Sequence, residues 1–204
     1  MRKLILSMMV SLDNRTARAD GDLGWFRTDG DFELDMLELL HNVDGILLGR
    51  VSYELLAAYW PTAGTANAEE APGGFTSRER EVAFAERMNT LPKIVYSRTM
   101  DHPTWGPAKV MREVLADDVE KMKRDANKDL VLFAGATLAS AFINLDLIDE
   151  YRLMVHPVLL GRGLPLFEDV AKEHPLRLMR AKTLSSGVVL LHYERELTVS
   201  PVLS

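Results

Sequence analysis

The stretch GILLGRVSYE, residues 45–54, decides the fold class of this chain. Its first four residues are small or apolar and are typical of a short buried strand. Residues 51–59 have the apolar spacing of a helix, which Trp60-Pro61 ends. Gly49 and Arg50 form the turn between them. A strand that passes through a tight turn into a helix is the repeating unit of an α/β fold.

The same unit recurs on both sides of this stretch. Strands are predicted at residues 4–10, 45–48, 93–97, 108–111, 130–134 and 150–159, and helices at residues 31–42, 51–59, 76–89, 117–127 and 137–145. Asp31 is the expected cap of the first helix, and Thr76 with Glu79 fits a capping box at the start of the third. The alternation implies parallel strands in a single domain that spans residues 1–204.

Two other segments have a different pattern. Residues 176–183 and 187–197 alternate in polarity around Ser185-Ser-Gly187, which predicts an antiparallel hairpin. Residues 61–75 are rich in Ala, Gly and Pro and predict a long surface loop. This loop is either an idle insertion or a flap over the substrate end of a cleft.

Composition excludes several classes of protein. The 204 residues include no cysteine, which excludes disulfides, thiolate catalysis and cysteine-bound metals. The five histidines lack the spacing of a zinc or iron site, so we expect no metal, and we expect His156 in the core. The net charge is −6 without a long basic run, so we expect no nucleic-acid partner.

The apolar start of the chain, residues 1–10, resembles a signal peptide only superficially. It passes directly into polar residues without a cleavage pattern, so a buried first strand is the better interpretation. No run reaches the roughly 18–20 apolar residues that a membrane span needs. We therefore expect a cytoplasmic protein that does not bind membranes.

Three predicted strand ends pass into small or polar residues at the start of a helix or turn. These are residues 48–52, 95–99 and 133–137. Ligands of open α/β sheets bind at the carboxyl ends of strands, where helix N-termini attract phosphate. Arg50 and Arg98 add forked cationic donors that suit phosphate. The alternative is that all three are plain connections; neither a full GxGxxG pattern nor a Walker pattern is present.

Acidic and aromatic residues cluster between the first strand and the first helix. The acids are Asp13, Asp20, Asp22, Asp29 and Asp31. A carboxyl group in a partly buried cleft can donate or accept protons, although most of these five are expected to be turn or capping residues. Trp25 and Phe26 could form a wall against a flat ring or pack in the core.

Five motifs occur in an order that resembles a known family. They are Ser11-Leu-Asp13, LGRVSYE at residues 48–54, Trp60-Pro61, FAGATL at residues 133–138 and VLLGRGLPLF at residues 158–167. Together they resemble the dihydrofolate-reductase-like superfamily, and most of all the stand-alone bacterial proteins similar to the reductase domain of riboflavin biosynthesis. The resemblance implies a three-layer α/β/α fold with a central, mostly parallel eight-stranded sheet.

The resemblance also implies NADPH as the cofactor. Gly49, Arg50, Val51 and Ser52 would hold the pyrophosphate and the 2′-phosphate side, and Ser97 and Arg98 would contact the adenosine 2′-phosphate. Gly135, Ala136, Thr137 and Leu138 would lie along the pyrophosphate and the nicotinamide, with Met9 and Thr16 lining the nicotinamide pocket. The sequence departs from the family at Ala136 and at Asn14, where glycine is usual; Asn tolerates a positive φ.

The implied reaction is hydride transfer from NADPH to a C=N or C=O bond of a small heterocycle, of the pteridine or pyrimidine class. Asp13, Asp29 or Asp31 would assist proton delivery, and Trp25 and Phe26 would contact the substrate. Two alternatives stay open: the riboflavin-pathway reductase that acts on a phosphoribosylamino-pyrimidine, and a nucleotide-binding module without turnover. We also expect a homodimer that pairs through residues 176–197.

Overall fold

The computed structural model describes residues 1–63, 65 and 74–196. In chain order the elements are β1 (Leu4–Ser11), β2 (Arg15–Arg18), α1 (Gly30–His41), β3 (Val43–Gly49), α2 (Arg50–Tyr59), α3 (Arg78–Thr90), β4 (Lys93–Tyr96), β5 (Ala108–Met111), α4 (Ala116–Asp125), β6 (Asp129–Phe133), α5 (Ala136–Asn144), β7 (Glu150–His156), β8 (Gly163–Pro165), β9 (Leu176–Thr183) and β10 (Val189–Arg195). Most of residues 61–75, the predicted surface loop, lie outside the described residues.

An eight-stranded sheet has the strand order β5-β4-β3-β6-β1-β7-β10-β9. Every neighbouring pair from β5 to β7 is parallel, and β10 runs antiparallel to both of its neighbours. This order confirms the mostly parallel sheet and the antiparallel C-terminal hairpin. The hairpin turns at Gly187, whose φ of 83° suits glycine.

Helices cover the sheet in two layers. Phe32 of α1, Tyr53 of α2 and Phe84 of α3 belong to one buried apolar cluster. Val119 of α4 and Phe142 of α5 belong to a second cluster. The central strand β1 supplies apolar side chains to both clusters, which is why its sequence is apolar almost without interruption. The three-layer α/β/α fold is confirmed.

Several predicted boundaries are wrong by a few residues. Asp29, not Asp31, caps α1, and its carboxylate accepts a hydrogen bond from the Phe32 amide at 2.7 Å. Ser77, not Thr76, caps α3, because Thr76 instead binds the buried carboxylate of Glu33. The strand predicted at residues 150–159 ends at His156, just before Pro157.

The short strands β2 and β8 were not predicted, and they form a separate two-stranded antiparallel sheet. Within the described ranges, no helix combines the length and the apolar character needed to cross a membrane.

Candidate cofactor and substrate site

The three strand ends singled out from the sequence come together at one edge of the sheet. Strands β4, β3 and β6 are consecutive neighbours. Gly49 at the end of β3 lies opposite Tyr96 of β4, and the preceding residue, Leu48, lies opposite Phe133 of β6. Because the strands are parallel, the turns that follow them share the carboxyl edge, where α/β proteins bind ligands.

Two of these turns begin helices that are capped by glycine. Gly49 precedes α2 and Gly135 precedes α5, both with extended backbone. Glycine has no side chain to accept hydrogen bonds from the first-turn amides, so these amides remain for solvent or a ligand. In α1 and α3, by contrast, the side chains of Asp29 and Ser77 accept such hydrogen bonds.

Space is open above the Gly135 turn. A β-carbon built on Gly135 has no heavy atom within 4 Å, so no packing inside the protein requires glycine at this position. The following Ala136 and Leu138 are half-buried, and Thr137 is exposed. A β-carbon built on Gly49 would lie 3.6 Å from Leu138, which shows that the starts of α2 and α5 face each other. An extended ligand could lie across both helix starts.

The two predicted phosphate-binding arginines differ in their partners. Arg50 forms a salt bridge with Glu54, in which one guanidinium nitrogen donates to both carboxylate oxygens, at 3.0 and 2.7 Å. Arg98 is exposed and makes no salt bridge within the described part of the chain. The exposed Val51 and the half-buried Ser52 follow Arg50 at the start of α2.

A cleft of about 580 Å³ lies between α2 and the loop after β4. Arg50 and Thr99 line one part of it, and Ala57, His102 and Thr104 line another. The cleft therefore begins at the predicted phosphate-binding turns and continues along α2.

A buried serine shapes the turn after β4. The Ser97 hydroxyl accepts hydrogen bonds from the amides of Thr99, at 3.2 Å, and Met100, at 2.9 Å. Arg112 donates to the carbonyls of Ser97 and Met100 from the neighbouring strand end. Ser97 therefore organises the loop that presents Arg98. The role of Arg112 was not predicted, because nothing in its sequence context distinguishes it from other surface arginines.

Hydrogen bonds from one hydroxyl and two backbone amides hold the Asp13 carboxylate in place. Its carboxylate accepts hydrogen bonds from the Ser11 hydroxyl at 2.6 Å and from the amides of Leu160 at 3.0 Å and Gly161 at 2.8 Å. The Ser11 and Leu160 hydrogen bonds lower the pKa of Asp13 to about 2. A carboxyl group that stays ionised at neutral pH is a poor proton donor, and the catalytic role of Asp13 stays a prediction.

The other two candidate acids lie at the start of α1. Partial burial raises the pKa of Asp29, but hydrogen bonds from Phe32 and from the Ser185–Ser186 turn outweigh burial and hold it below its usual value. Asp29 is thus a cap that also ties α1 to the hairpin. Asp31 accepts a hydrogen bond from the Ser185 hydroxyl at 3.0 Å, and its side chain is 46% exposed. Asp31 remains a candidate for proton delivery.

Aromatic rings surround His156 at the carboxyl end of β7. Trp25 is 5% exposed and packs edge-on against His156, with ring centroids 5.3 Å apart. Phe26 is half-buried and lies 5.6 Å from the same ring. Burial therefore leaves Phe26, rather than Trp25, as the ring that a substrate could meet.

His156 is fully buried, as expected from the sequence, but it also organises the site. Its Nδ1 accepts a hydrogen bond from the Arg27 amide at 3.2 Å, which ties the segment after Trp25 to β7. Burial, with a smaller contribution from the charge of Arg27, lowers the pKa of His156 to about 4. The ring is therefore neutral at physiological pH.

Met9 and Thr16 are the predicted lining of the nicotinamide pocket, and they differ in how accessible their side chains are to a ligand. Met9 is half-buried near the end of β1 and lies opposite Met154 of β7. Thr16 is buried, and its hydroxyl donates to the Leu164 carbonyl at 3.2 Å. Among the described residues, no group of His, Asp and Glu side chains could hold a metal ion.

Comparison with known proteins assigns this architecture. The chain matches the family model of the RibD C-terminal domain over residues 2–190. The chain belongs to the RibD C-terminal domain family. The Bacillus subtilis protein YyaP, which is uncharacterized, is 34% identical to it over 192 residues, with 94% of each chain covered. YwjB, also uncharacterized and from the same organism, is 27% identical over 195 residues, with 95% of this chain and 98% of YwjB covered.

Solved structures show that RibD-type and dihydrofolate reductases share the fold of this family member. A Shewanella sp. PV-4 protein that is assigned to riboflavin biosynthesis superposes with a TM-score of 0.72 at 21% identity, covering 96% of this chain and 99% of that one. Dihydrofolate reductase from Enterococcus faecalis superposes with a TM-score of 0.59 at 11% identity, covering 96% and 97%. The resemblance stated from the motifs is confirmed, and the fold is one that reductases use.

Proposed function

We propose that this RibD-family protein is an NADPH-dependent reductase that transfers hydride to a C=N or C=O bond of a small heterocycle. The observation that carries the proposal is the convergence of two glycine-capped helix N-termini at one sheet edge, beside Arg50 and Arg98. Unpaired helix amides and forked arginines suit the pyrophosphate and the 2′-phosphate of this cofactor. Family membership and the fold shared with dihydrofolate reductase support the same cofactor.

The adenosine half would lie near the α2 end of the edge. Arg98 is free to bind the 2′-phosphate, whereas Arg50 must first leave Glu54. The adjoining cleft along α2 has room for a nucleoside, since its volume of about 580 Å³ is within the usual range for ligand sites. We therefore expect Arg98 to contribute more than Arg50 to the preference for NADPH.

The nicotinamide half would lie near the Gly135 turn and the end of β1, where β6 and β1 are neighbours. Gly135 leaves open space for close approach of a ligand to the backbone. The bound cofactor would supply the hydride, and Met9 with the surrounding loops would orient the ring and exclude water. Since Asp13 and Asp29 are held by amides, the proton would come from Asp31 or from water.

A structural relative supports the proposed substrate class. Rib7 from Saccharomyces cerevisiae, a riboflavin biosynthesis reductase, shares the fold with a TM-score of 0.54 at 14% identity, covering 96% of this chain and 90% of Rib7. A pteridine or pyrimidine is therefore the expected substrate class, and the phosphoribosylamino-pyrimidine of the riboflavin pathway is the second candidate. Turnover of a panel of pterins and pyrimidine precursors would choose between them. Cofactor binding without turnover of any of them would favour a non-catalytic module.

Cofactor preference tests the proposal directly. Loss of a charge-assisted contact costs on the order of 1.5–3 kcal/mol, so Arg98→Ala should reduce the preference for NADPH over NADH about tenfold or more. Arg50→Ala should reduce it less. Arg124 is an exposed arginine of α4, away from the candidate site, so Arg124→Ala is the matched control.

The measurement is the dissociation constant of each dinucleotide, followed by quenching of tryptophan fluorescence. A wild-type protein that binds neither dinucleotide would refute the cofactor assignment. An unchanged NADPH preference in both site variants would refute the roles of the two arginines.

A further inference from the structure

The Asp13 carboxylate joins two loops that are far apart in sequence. Its partners are the hydroxyl of Ser11, the last residue of β1, and the amides of Leu160 and Gly161 in the loop after β7. The Ser11 hydroxyl in turn accepts a hydrogen bond from the Arg15 amide at 2.9 Å. One carboxylate therefore fixes the path of the chain before and after itself and binds a segment about 150 residues away.

Three further contacts join the same two loops. The Leu12 amide donates to the Val158 carbonyl at 2.9 Å, the Leu166 amide donates to the Asn14 carbonyl at 3.1 Å, and the Thr16 hydroxyl binds the Leu164 carbonyl. The strands β2 and β8 then continue the pairing. The two loops form one unit, which we call the β1–β7 clamp (residues 11–18 and 157–166).

Each of the two loops in this clamp contains a residue with left-handed backbone. Asn14 and Gly161, which follow Asp13 and Leu160, have φ values of 61° and 64°. Both left-handed residues lie at turns directly beside the hydrogen bonds of Asp13. The closest cation, Arg15, has its Nε 4.0 Å from the carboxylate, so the amides and the hydroxyl supply most of the stabilisation.

The clamp holds apolar side chains exposed at the carboxyl edge. Leu12 is 66% exposed and Leu159 is 69% exposed, and both lie beside the backbone contact between Leu12 and Val158. Exposed leucines fixed next to a candidate ligand site suit a surface that an apolar ring covers. In the proposed function, that ring is the nicotinamide or the substrate that stacks on it.

We infer that Asp13 is a positioning residue, which holds the β1–β7 clamp as the wall of the nicotinamide end of the site. The inference rests on the proposed function for the identity of the ligand, and on the three hydrogen bonds of Asp13 for the mechanism. The adenosine end uses other turns, after β3 and β4, that Asp13 does not touch. A change at Asp13 should therefore weaken binding of the nicotinamide half of the cofactor and leave binding of the adenosine half unchanged.

The test compares two ligands in the full-length protein and in Asp13→Asn. Asparagine keeps the shape of the side chain but loses the charge and one acceptor oxygen. We expect the dissociation constant of NADPH to rise about tenfold, and that of adenosine 2′,5′-bisphosphate to stay within twofold of the wild-type value. Hydrogen exchange of residues 158–166, followed by mass spectrometry, should become faster.

Two variants control this experiment. Asp20→Asn changes an exposed carboxylate of the same region that accepts a hydrogen bond from the Asp22 amide, outside the clamp, and neither affinity should change. Ser11→Ala removes one of the three partners of Asp13, and it should shift NADPH affinity in the same direction by a smaller factor. Ser11→Ala also keeps the test valid if Asp13→Asn does not fold.

The outcomes separate the inference from the proposed function. Unchanged exchange at residues 158–166 in Asp13→Asn would overturn the clamp. Equal weakening of both ligands, or faster exchange with unchanged NADPH affinity, would overturn the positioning role. If the wild-type protein binds neither ligand, the proposed function fails, and the exchange measurement still decides whether Asp13 holds the clamp.

Discussion

His156 is an ionisable side chain that the fold buries beside a positive charge. It lies among Trp25, Phe26 and Phe32, and the charge of Arg27 is close enough to disfavour protonation. A neutral imidazole in this position can accept the Arg27 amide hydrogen bond, whereas an imidazolium cannot. The packing of the substrate end of the site therefore depends on the protonation state of one residue.

The stability of the protein should fall in mild acid because of His156. The unfolded chain binds a proton below about pH 6.5, but the folded chain does so only near pH 4, so stability is lost as pH falls through this window. The expected loss from His156 between pH 7 and pH 5 is about 2 kcal/mol. Urea unfolding of wild type and His156→Asn at both pH values should show this difference, because asparagine can still accept the Arg27 hydrogen bond.

His102→Asn is the matched control, because it replaces an exposed histidine outside this cluster of aromatic rings. The same loss of stability between pH 7 and pH 5 in wild type and His156→Asn would show that His156 is not the origin.

Sequence could predict the types of residue at the site but not their partners. In the sequence, nothing distinguishes Asp13, Asp29 and Asp31 from one another. Only the fold brings the amides of Leu160 and Gly161 to Asp13, and the amide of Ser186 to Asp29. These contacts span more than 140 residues of chain. The positive φ of Asn14, in contrast, was predictable, because it is a local property of a turn and asparagine tolerates left-handed backbone.

At the scale of elements, Gly163 and Gly135 differ in whether the surrounding structure leaves room for a side chain. A β-carbon on Gly163 of β8 would lie 2.3 Å from the Ala17 carbonyl oxygen of β2, so this strand pair cannot accept a side chain there. A β-carbon on Gly135 would meet open space. The first glycine is required by packing, and the second has space that we assign to the cofactor.

Alanine substitutions should distinguish a glycine that packing requires from a glycine that leaves space for a ligand. Gly163→Ala should lower the free energy of unfolding by about 1–3 kcal/mol, because the strands must move apart. Gly135→Ala should change it by less than about 1 kcal/mol, since its φ of −69° is accessible to alanine. Gly135→Ala should instead weaken NADPH binding, because the methyl group occupies the open space.

Thermal and urea unfolding, with NADPH titration, measure both effects. Tight NADPH binding by Gly135→Ala would contradict a ligand above this turn, and wild-type stability of Gly163→Ala would contradict the tight approach of β2 and β8.

The lengths of elements explain which of them the sequence revealed. The seven-residue β3 and the eight-residue β1 carry enough apolar residues to be recognised. The strands β2 and β8 have four and three residues, and pairing between distant segments creates them. The observed helix starts differ from the predicted ones by a residue or two, because several successive polar residues could serve as the cap.

At the scale of the whole molecule, the centre of the sheet is covered by helices, and the edge at β9 is exposed to solvent. The centre, from β3 to β7, has helices on both faces, whereas nearly every residue of the edge strand β9 is exposed. The sequence alone predicted parallel strands followed by a hairpin. It could not predict that β6 lies between β1 and β3, because strand order depends on how the helices cross the sheet.

The exposed hairpin leads to the expectation of a homodimer. Leu178 of β9 is 52% exposed and lies opposite Tyr193 of β10, which places an apolar surface on this end of the sheet. Basic residues along the same strand (Arg177, Arg180 and Lys182) disfavour edge-to-edge pairing of two copies, because like charges would meet. We therefore expect two copies to pack through the apolar face of β9 and β10.

Light scattering at micromolar concentration should give the mass of two chains for the wild type. Leu178→Lys should give the mass of one chain, because it introduces a charge at the centre of the expected contact, and its fold should survive since the side chain is half-exposed in one copy. Leu34→Lys, at an exposed leucine of α1, should remain dimeric.

A single-chain mass for the wild type would refute the dimer, and a dimeric Leu178→Lys would place the contact elsewhere on the molecule. Because the site residues of one chain lie at the carboxyl edge, away from Leu178, the monomeric variant should bind NADPH with wild-type affinity.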